Sequence, residues 1–151
     1  MRRRQGKIAV LVEKSVLVGY SAQQMFDLVD NVERYPEFLP WCGGASVDHH
    51  GEGVSHATVH IAYHHVKQSL TTRNTVTPPH RIAMELHDGP FSHLDGCWVF
   101  TALGDNACKV EFRLRYEFSS KLLEKLLGPV FQHVTNSFVD AFVRRAEKIY
   151  P

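Results

Sequence analysis

The chain is short of cysteine. Its 151 residues hold only Cys42, Cys97 and Cys108, an odd number, widely spaced and without a C-x-x-C pair. A disulfide framework is therefore not the organising principle, and a reducing compartment is the expectation. Long apolar runs are missing too. The run that starts at Ile8, after Arg2-Arg3-Arg4, is stopped by Glu13-Lys14, too short for a membrane span or the apolar part of a secretion signal. Nor is there an excess of one charge: the formal net charge is +1, which gives no global signature of nucleic-acid binding. The expectation is a cytoplasmic protein, with residues 1–7 as a basic tail able to touch acidic lipid or RNA and residues 8–151 as a single domain.

Catalytic motifs are equally scarce. Gly19-Tyr20-Ser21-Ala22-Gln23 lacks the closing glycine of a nucleophile elbow, and Gly51-Glu52-Gly53 lacks the third glycine of a dinucleotide loop. There is no phosphate-loop motif and no H-E-x-x-H. Histidines are plentiful, but His56, His60 and His64 sit on a strand-like segment. Residues four apart there are separated by about 13 Å, and zinc needs nitrogens within ~2.1 Å, so they share no ion without partners from other strands. The pairs His49-His50 and His64-His65 are expected to point to opposite strand faces. No catalytic residue and no metal ligand is assigned, and a non-enzyme is expected.

What the chain does have is apolar periodicity. From Ser119 to Tyr150, Leu127, Phe131, Val134, Phe138, Ala141 or Phe142, and Ile149 recur at helical spacing, with Leu123, Leu126, Val130 and Val139 widening the stripe. Ser119 or Ser120 caps this helix, and Gly128-Pro129 is expected to kink it. Before it come segments of strand alternation. In residues 109–118, Val110, Phe112, Leu114, Tyr116 and Phe118 face one way while charged residues face the other. Residues 8–18, 45–51, 54–64, 66–77, 81–87 and 94–103 read as further strands, separated by turn residues. Residues 22–30 read as a helix that buries Phe26, introduced by Ser21 and Gln24 as a capping box.

Two features bear on function. Tyr35-Pro36-Glu37-Phe38-Leu39-Pro40-Trp41 is a stiff aromatic segment, because each proline holds its predecessor out of helical geometry. It permits only short helical turns, and reads either as a corner plug in the core or as the mouth of a pocket. On residues 66–77, the face that carries Val66, Leu70 and Val76 also carries Gln68, Thr72 and Asn74. Either those polar groups enter an apolar interior, where they need hydrogen-bond partners, or a bulge turns them outward.

Several stretches together resemble one family. They are Tyr20-Ser21-Ala22-Gln23-Gln24-Met25-Phe26, Tyr35-Pro36-Glu37-Phe38-Leu39-Pro40-Trp41-Cys42, Thr71-Thr72-Arg73-Asn74, Gly89-Pro90-Phe91 with Leu94, Gly96, Trp98 and Phe100, and Gly128-Pro129-Val130-Phe131 with Val139-Asp140-Ala141-Phe142. The pattern is similar to the START-like family that joins coenzyme Q-binding proteins of respiration to the ribosome association toxin RatA. The resemblance covers nearly all of the chain from Val12. It implies an α+β helix-grip fold, in which a curved antiparallel sheet wraps a long C-terminal helix around a hydrophobic cavity, with two short helices after the first strand. It further implies a non-catalytic protein that binds ubiquinone or another polyprenyl quinone in support of respiration. The alternative it offers is a toxin that binds the large ribosomal subunit and blocks subunit association, and a polyketide cyclase-like enzyme is the third. The Arg-rich start and the histidines at 49, 50, 64 and 65 depart from the family pattern.

The expected ligand contacts follow. They are Leu127, Phe131, Val134 and Phe138 on the helix, Phe26, Tyr35, Phe38, Leu39 and Trp41 near the mouth, and Phe91, Trp98, Phe112 and Tyr116 on the sheet. Gln68, Thr72 and Asn74 would meet ligand oxygens. Typical pockets of roughly 300–1,000 Å³ would take a quinone ring and several isoprene units, with the tail protruding along residues 38–41. The ligand is not a resident cofactor. The expected surroundings are the cytoplasm, with peripheral contact to the inner membrane.

Overall fold

The computed structural model describes residues 9–151; the expected basic tail, 1–7, and the first residue of the expected first strand, Ile8, lie outside them. The elements are β1 (Val10–Val18), α1 (Ala22–Asp30), a 3-10 turn (Val32–Glu37), β2 (Cys42–Gly51), β3 (Val54–Tyr63), β4 (Val66–Thr77), β5 (Arg81–Asp88), β6 (Phe91–Ala102), β7 (Cys108–Phe118) and α2 (Lys121–Ile149). The strands form one curved antiparallel sheet in the order β1-β7-β6-β5-β4-β3-β2. This is the α+β helix-grip arrangement, with α2 held against the sheet's apolar face.

Local chemistry explains the elements. Ser21 Oγ accepts from the Gln24 amide at 3.1 Å while Gln24 Oε1 accepts from the Ser21 amide at 2.9 Å, so both halves of the capping box form. In β7, Val110, Phe112, Leu114, Tyr116 and Phe118 are all buried, so alternation and burial agree. Ser120 caps α2 through the Leu123 amide. The helix then runs through Pro129 as one element, although that proline has no amide to offer the carbonyl of Lys125.

The buried face of α2 includes Leu127, Phe131, Val134 and Phe142. Two residues expected on that stripe fall off it: Leu126 and Ile149 are exposed. Successive helical residues are rotated by about 100°, so Leu126, one place before Leu127, is turned away from the sheet. The far end of α2 is tied to α1, where Met25 and Ala146 are fully buried and Tyr150 Oη donates to the Gln24 carbonyl at 3.2 Å.

The structure corrects the reading of His64-His65. They are not strand residues with opposite faces but the two central residues of a tight hairpin turn, with Tyr63 paired to Val66. Both have positive φ, 47° and 68°. Two consecutive positive φ values match the right-handed twist of the flanking strands, and here histidines occupy positions usually left to Asn and Gly. Two strands also begin earlier than expected, β2 at Cys42 and β6 at Phe91.

Candidate functional site

Between the sheet and α2 lies a cavity of about 90 Å³. The sheet contributes Ala57, Val59 and Ile61 from β3, Leu70, Thr72 and Asn74 from β4, Met84 from β5, Leu94 and Trp98 from β6, and Phe112 and Leu114 from β7. Val32 and Tyr35 of the 3-10 turn and Trp41 close one end. Phe131, Val134, Thr135 and Phe138 of α2 form the facing wall. The size is a correction: this cavity is smaller than the ~150 Å³ that admits benzene and far below the expected pocket. Aromatic side chains fill the difference. Trp98 packs on Phe112, Phe138 and Phe142 at centroid distances of 4.6, 5.5 and 5.3 Å.

The polar face of β4 does turn inward. Thr72 and Asn74 are buried, and Thr72 Oγ1 donates to Asn74 Oδ1 at 2.7 Å. Thr135 is also buried and donates to the Gln132 carbonyl at 3.2 Å. Sequence reasoning missed this residue; the available signal was a hydroxyl four places after Phe131, on the same helical face. It also left out Val32, Ala57, Val59, Ile61, Leu70, Met84, Leu94 and Leu114, whose side chains carry no chemistry beyond apolar surface.

The remaining expected contacts divide into three groups. Gln68, Phe91 and Leu127 line a second, smaller cavity of about 20 Å³, which shares Ile61, Leu70 and Phe131 with the first. That second cavity in turn shares Ile61, Gln68, Ser69 and Pro90 with an open surface groove that reaches Lys67, Asp88 and Leu123. Tyr116 stands behind Phe131, with ring centroids 4.7 Å apart. Phe26, Phe38 and Leu39 lie outside the lining. Phe26 packs under α1 against Phe100, Leu39 is buried, and half-buried Phe38 lies beneath the Arg145 guanidinium at 5.0 Å. Of the two readings of the aromatic segment, Phe38 and Leu39 form the corner plug, while Tyr35 and Trp41 line the cavity and close one end of it.

Electrostatically the cavity is quiet. Tyr35 is its one titratable lining residue among the described residues. Its hydroxyl donates to the Val29 carbonyl at 2.5 Å, and burial, then the Asp30 and Cys42 charges, pushes its ionisation far up. Burial also raises the thiols of Cys42 and Cys108, so neither is poised as a thiolate nucleophile. No carboxylate, histidine or lysine reaches the lining, so no acid–base pair stands there. Among the described residues no group of His, Cys, Asp or Glu side chains is arranged to hold a metal ion.

Comparison with known proteins places the chain. The model of the family described as polyketide cyclase / dehydrase and lipid transport matches residues 18–143. The chain belongs to this family. Within it, the chain is similar to the ribosome association toxin RatA of Vibrio cholerae, with 48% identity over 139 residues that cover 92% of this chain and 96% of the relative. It is also similar to the mitochondrial coenzyme Q-binding protein COQ10 homolog B of Xenopus laevis, with 30% identity over 149 residues that cover 96% of this chain and 61% of that protein. Among solved structures, the Zhui aromatase/cyclase from Streptomyces sp. R1128 superposes with a TM-score of 0.80 at 17% identity, covering 95% of this chain and 97% of the other. That likeness establishes the shared fold. Among the described residues, no helix of this family member is long and apolar enough to cross a membrane.

Proposed function

We propose that this family member is a non-catalytic binding protein for a small hydrophobic molecule, with a polyprenyl quinone as the candidate that its coenzyme Q-binding relative suggests. One observation carries the reading. A cavity between sheet and α2 combines an almost wholly apolar lining with the inward-facing pair Thr72 and Asn74. An apolar pocket with a few fixed polar groups is the usual form of a small-molecule site. The coenzyme Q-binding relative, matched over 96% of this chain, supports quinone as the ligand class. The absence of carboxylate, histidine and lysine from the lining favours binding over catalysis.

Its small volume means that the ligand enters by displacing side chains. Ile61, Leu70 and Phe131 form the partition between the two cavities, and the second cavity adjoins the surface groove. A ring would pass that partition and leave its tail in the groove beside Gln68 and Leu123, not along residues 38–41, where Arg145 covers Phe38. Leu127 and Val130, which flank Gly128-Pro129 in α2, line the second cavity, where the helix lacks the backbone hydrogen bond that Pro129 cannot donate. The test is mass spectrometry of lipids extracted from the purified protein. Co-purified quinone, or uptake of added quinone, is expected; protein that stays empty after incubation with quinone would sink the reading.

A second reading is association with the ribosome. It is favoured by the 48% identity, over 96% of the relative, to a ribosome association toxin. The candidate contact is the outer face of β7 with Arg73 of β4. Its charges are partly neutralised, since Lys109 pairs with Glu111 at 3.9 Å and Arg113 with Glu13 at 3.6 Å. Phosphate contact requires net positive charge. Co-sedimentation with separated ribosomal subunits decides it: salt-sensitive pelleting with the large subunit supports the reading, and none at low salt refutes it.

A further inference from the structure

Trp41 contains the one buried side-chain nitrogen or oxygen without a hydrogen-bond partner among the described residues, its indole Nε1. The residue is 3% exposed and lines the cavity, with its ring centroid 5.9 Å from that of Phe138. Its backbone carbonyl is engaged, accepting from the Ala62 amide at 2.8 Å. The other polar side chains around the cavity are satisfied within the protein: Tyr35 donates to Val29, Thr72 to Asn74 and Thr135 to Gln132. A buried donor left open forfeits the hydrogen bond it makes to water in the unfolded chain. An indole N–H is a donor only, so what this position lacks is an acceptor.

We propose that Trp41 Nε1–H is the anchoring donor of the cavity and selects a neutral, ring-sized ligand bearing a carbonyl or comparable oxygen acceptor. The proposal rests on the hydrophobic-ligand reading above and goes further, because it names the atom that recognises the ligand and the chemistry recognised. Neutrality follows from the lining. No Lys, Arg or His reaches it, and an unpaired carboxylate or phosphate would lose its hydration with nothing to replace it. Small size follows from the volume of about 90 Å³: even a single ring needs side chains to yield, and each further ring needs more of them to. The unpartnered group is a donor, so a ligand with an acceptor oxygen on its ring suits the cavity better than one bearing only hydroxyl donors.

The experiment compares duroquinone, a fully methylated quinone that thiols cannot add to at a free ring position, with durene, the same ring and methyl groups without oxygens. Protein labelled with ¹⁵N-tryptophan gives two indole Nε1–H resonances, from Trp41 and Trp98, and the Trp41→Phe variant assigns them. Duroquinone is expected to shift the Trp41 resonance downfield in a saturable way. Relative to durene, which reports the change in cavity shape, the variant is expected to bind duroquinone about three- to tenfold more weakly. Saturable duroquinone binding that leaves the Trp41 resonance still, or a duroquinone-to-durene affinity ratio unchanged in the variant, would overturn the donor assignment and leave the cavity reading standing. Binding of neither compound to the wild-type protein would overturn both. Should Trp41→Phe fail to fold, the wild-type resonance still decides between these outcomes, with Trp98→Phe supplying the assignment.

Discussion

Arg145, near the end of α2, bonds to Glu37 across a separation of 108 positions, Nη2 to Oε1 at 2.7 Å, with its guanidinium carbon 5.0 Å from the centre of the Phe38 ring. One side chain thereby fastens the aromatic segment to the helix. Arg145 is 14% exposed but Glu37 is 46% exposed, so solvent screens the ion pair. The pair and the ring contact together are worth about 1 kcal/mol. Arg145→Ala should lower the melting temperature by about 2–4 °C, and Arg145→Lys should recover only part of it because the planar stacking is lost. Thermal unfolding followed by circular dichroism checks this.

The pair Thr72 and Asn74 predicts non-additivity. Thr72→Val alone leaves Asn74 Oδ1 buried without its donor, at a cost of about 1–3 kcal/mol. Thr72→Val with Asn74→Leu removes both partners and should cost less than the sum of the two single changes. Urea denaturation of the three variants measures it; strict additivity would show that the two side chains do not depend on each other.

Gly96 on β6 leaves no room for a side chain. A Cβ there would collide with the Arg113 carbonyl oxygen and lie 3.1 Å from the Leu114 Cα, both on the backbone of β7. Gly96→Ala should destabilise by about 1–3 kcal/mol through forced separation of the two strands, again read by urea denaturation. Gly128→Ala is the control, because nothing lies within 4 Å of its Cβ position. Removing a helical glycine there should stabilise by up to ~1 kcal/mol.

Acid should weaken the fold through His56. Its ring packs between His50 and His87, with centroids 4.1 and 4.0 Å away. Partial desolvation, then the positive charges available to His87, His50 and Arg73, lowers its proton affinity, opposed only by Asp48. The folded protein therefore resists a proton that the unfolded chain accepts near about pH 6.5, so stability falls as pH drops below that value and levels out below the folded-state pKa. Unfolding midpoints at about pH 5 and about pH 7.5, below and above the unfolded-state value, should differ less in His56→Gln than in the wild-type protein.

How far the sequence revealed this molecule depended on the range of the physics involved. The capping box of Ser21 and Gln24, the alternation of β7 and the inward face of β4 are local patterns, and all are present in the structure. The grouping of His50, His56 and His87 depends on which strands neighbour one another, which no spacing along the chain reveals. The His64-His65 turn escaped because its residues are not the usual ones for positive φ. Cavity volume depends on how far Trp98, Phe112 and Phe138 interpenetrate, a matter of fractions of an ångström summed over many contacts. The open donor on Trp41 was illegible for the same reason, since a satisfied and an unsatisfied indole are spelled alike.

The central claim is that the space between the sheet and α2 takes up a hydrophobic ring, and titration with a short-chain ubiquinone tests it most directly. Trp41 and Trp98 both line the cavity, so an entering quinone should quench their fluorescence. The account predicts saturable quenching in the wild-type protein. It predicts that Val134→Phe, which fills the cavity from α2, abolishes that quenching while the protein still unfolds cooperatively at an equal or higher temperature. Quenching that never saturates, or that is unchanged in the filled variant, would contradict it.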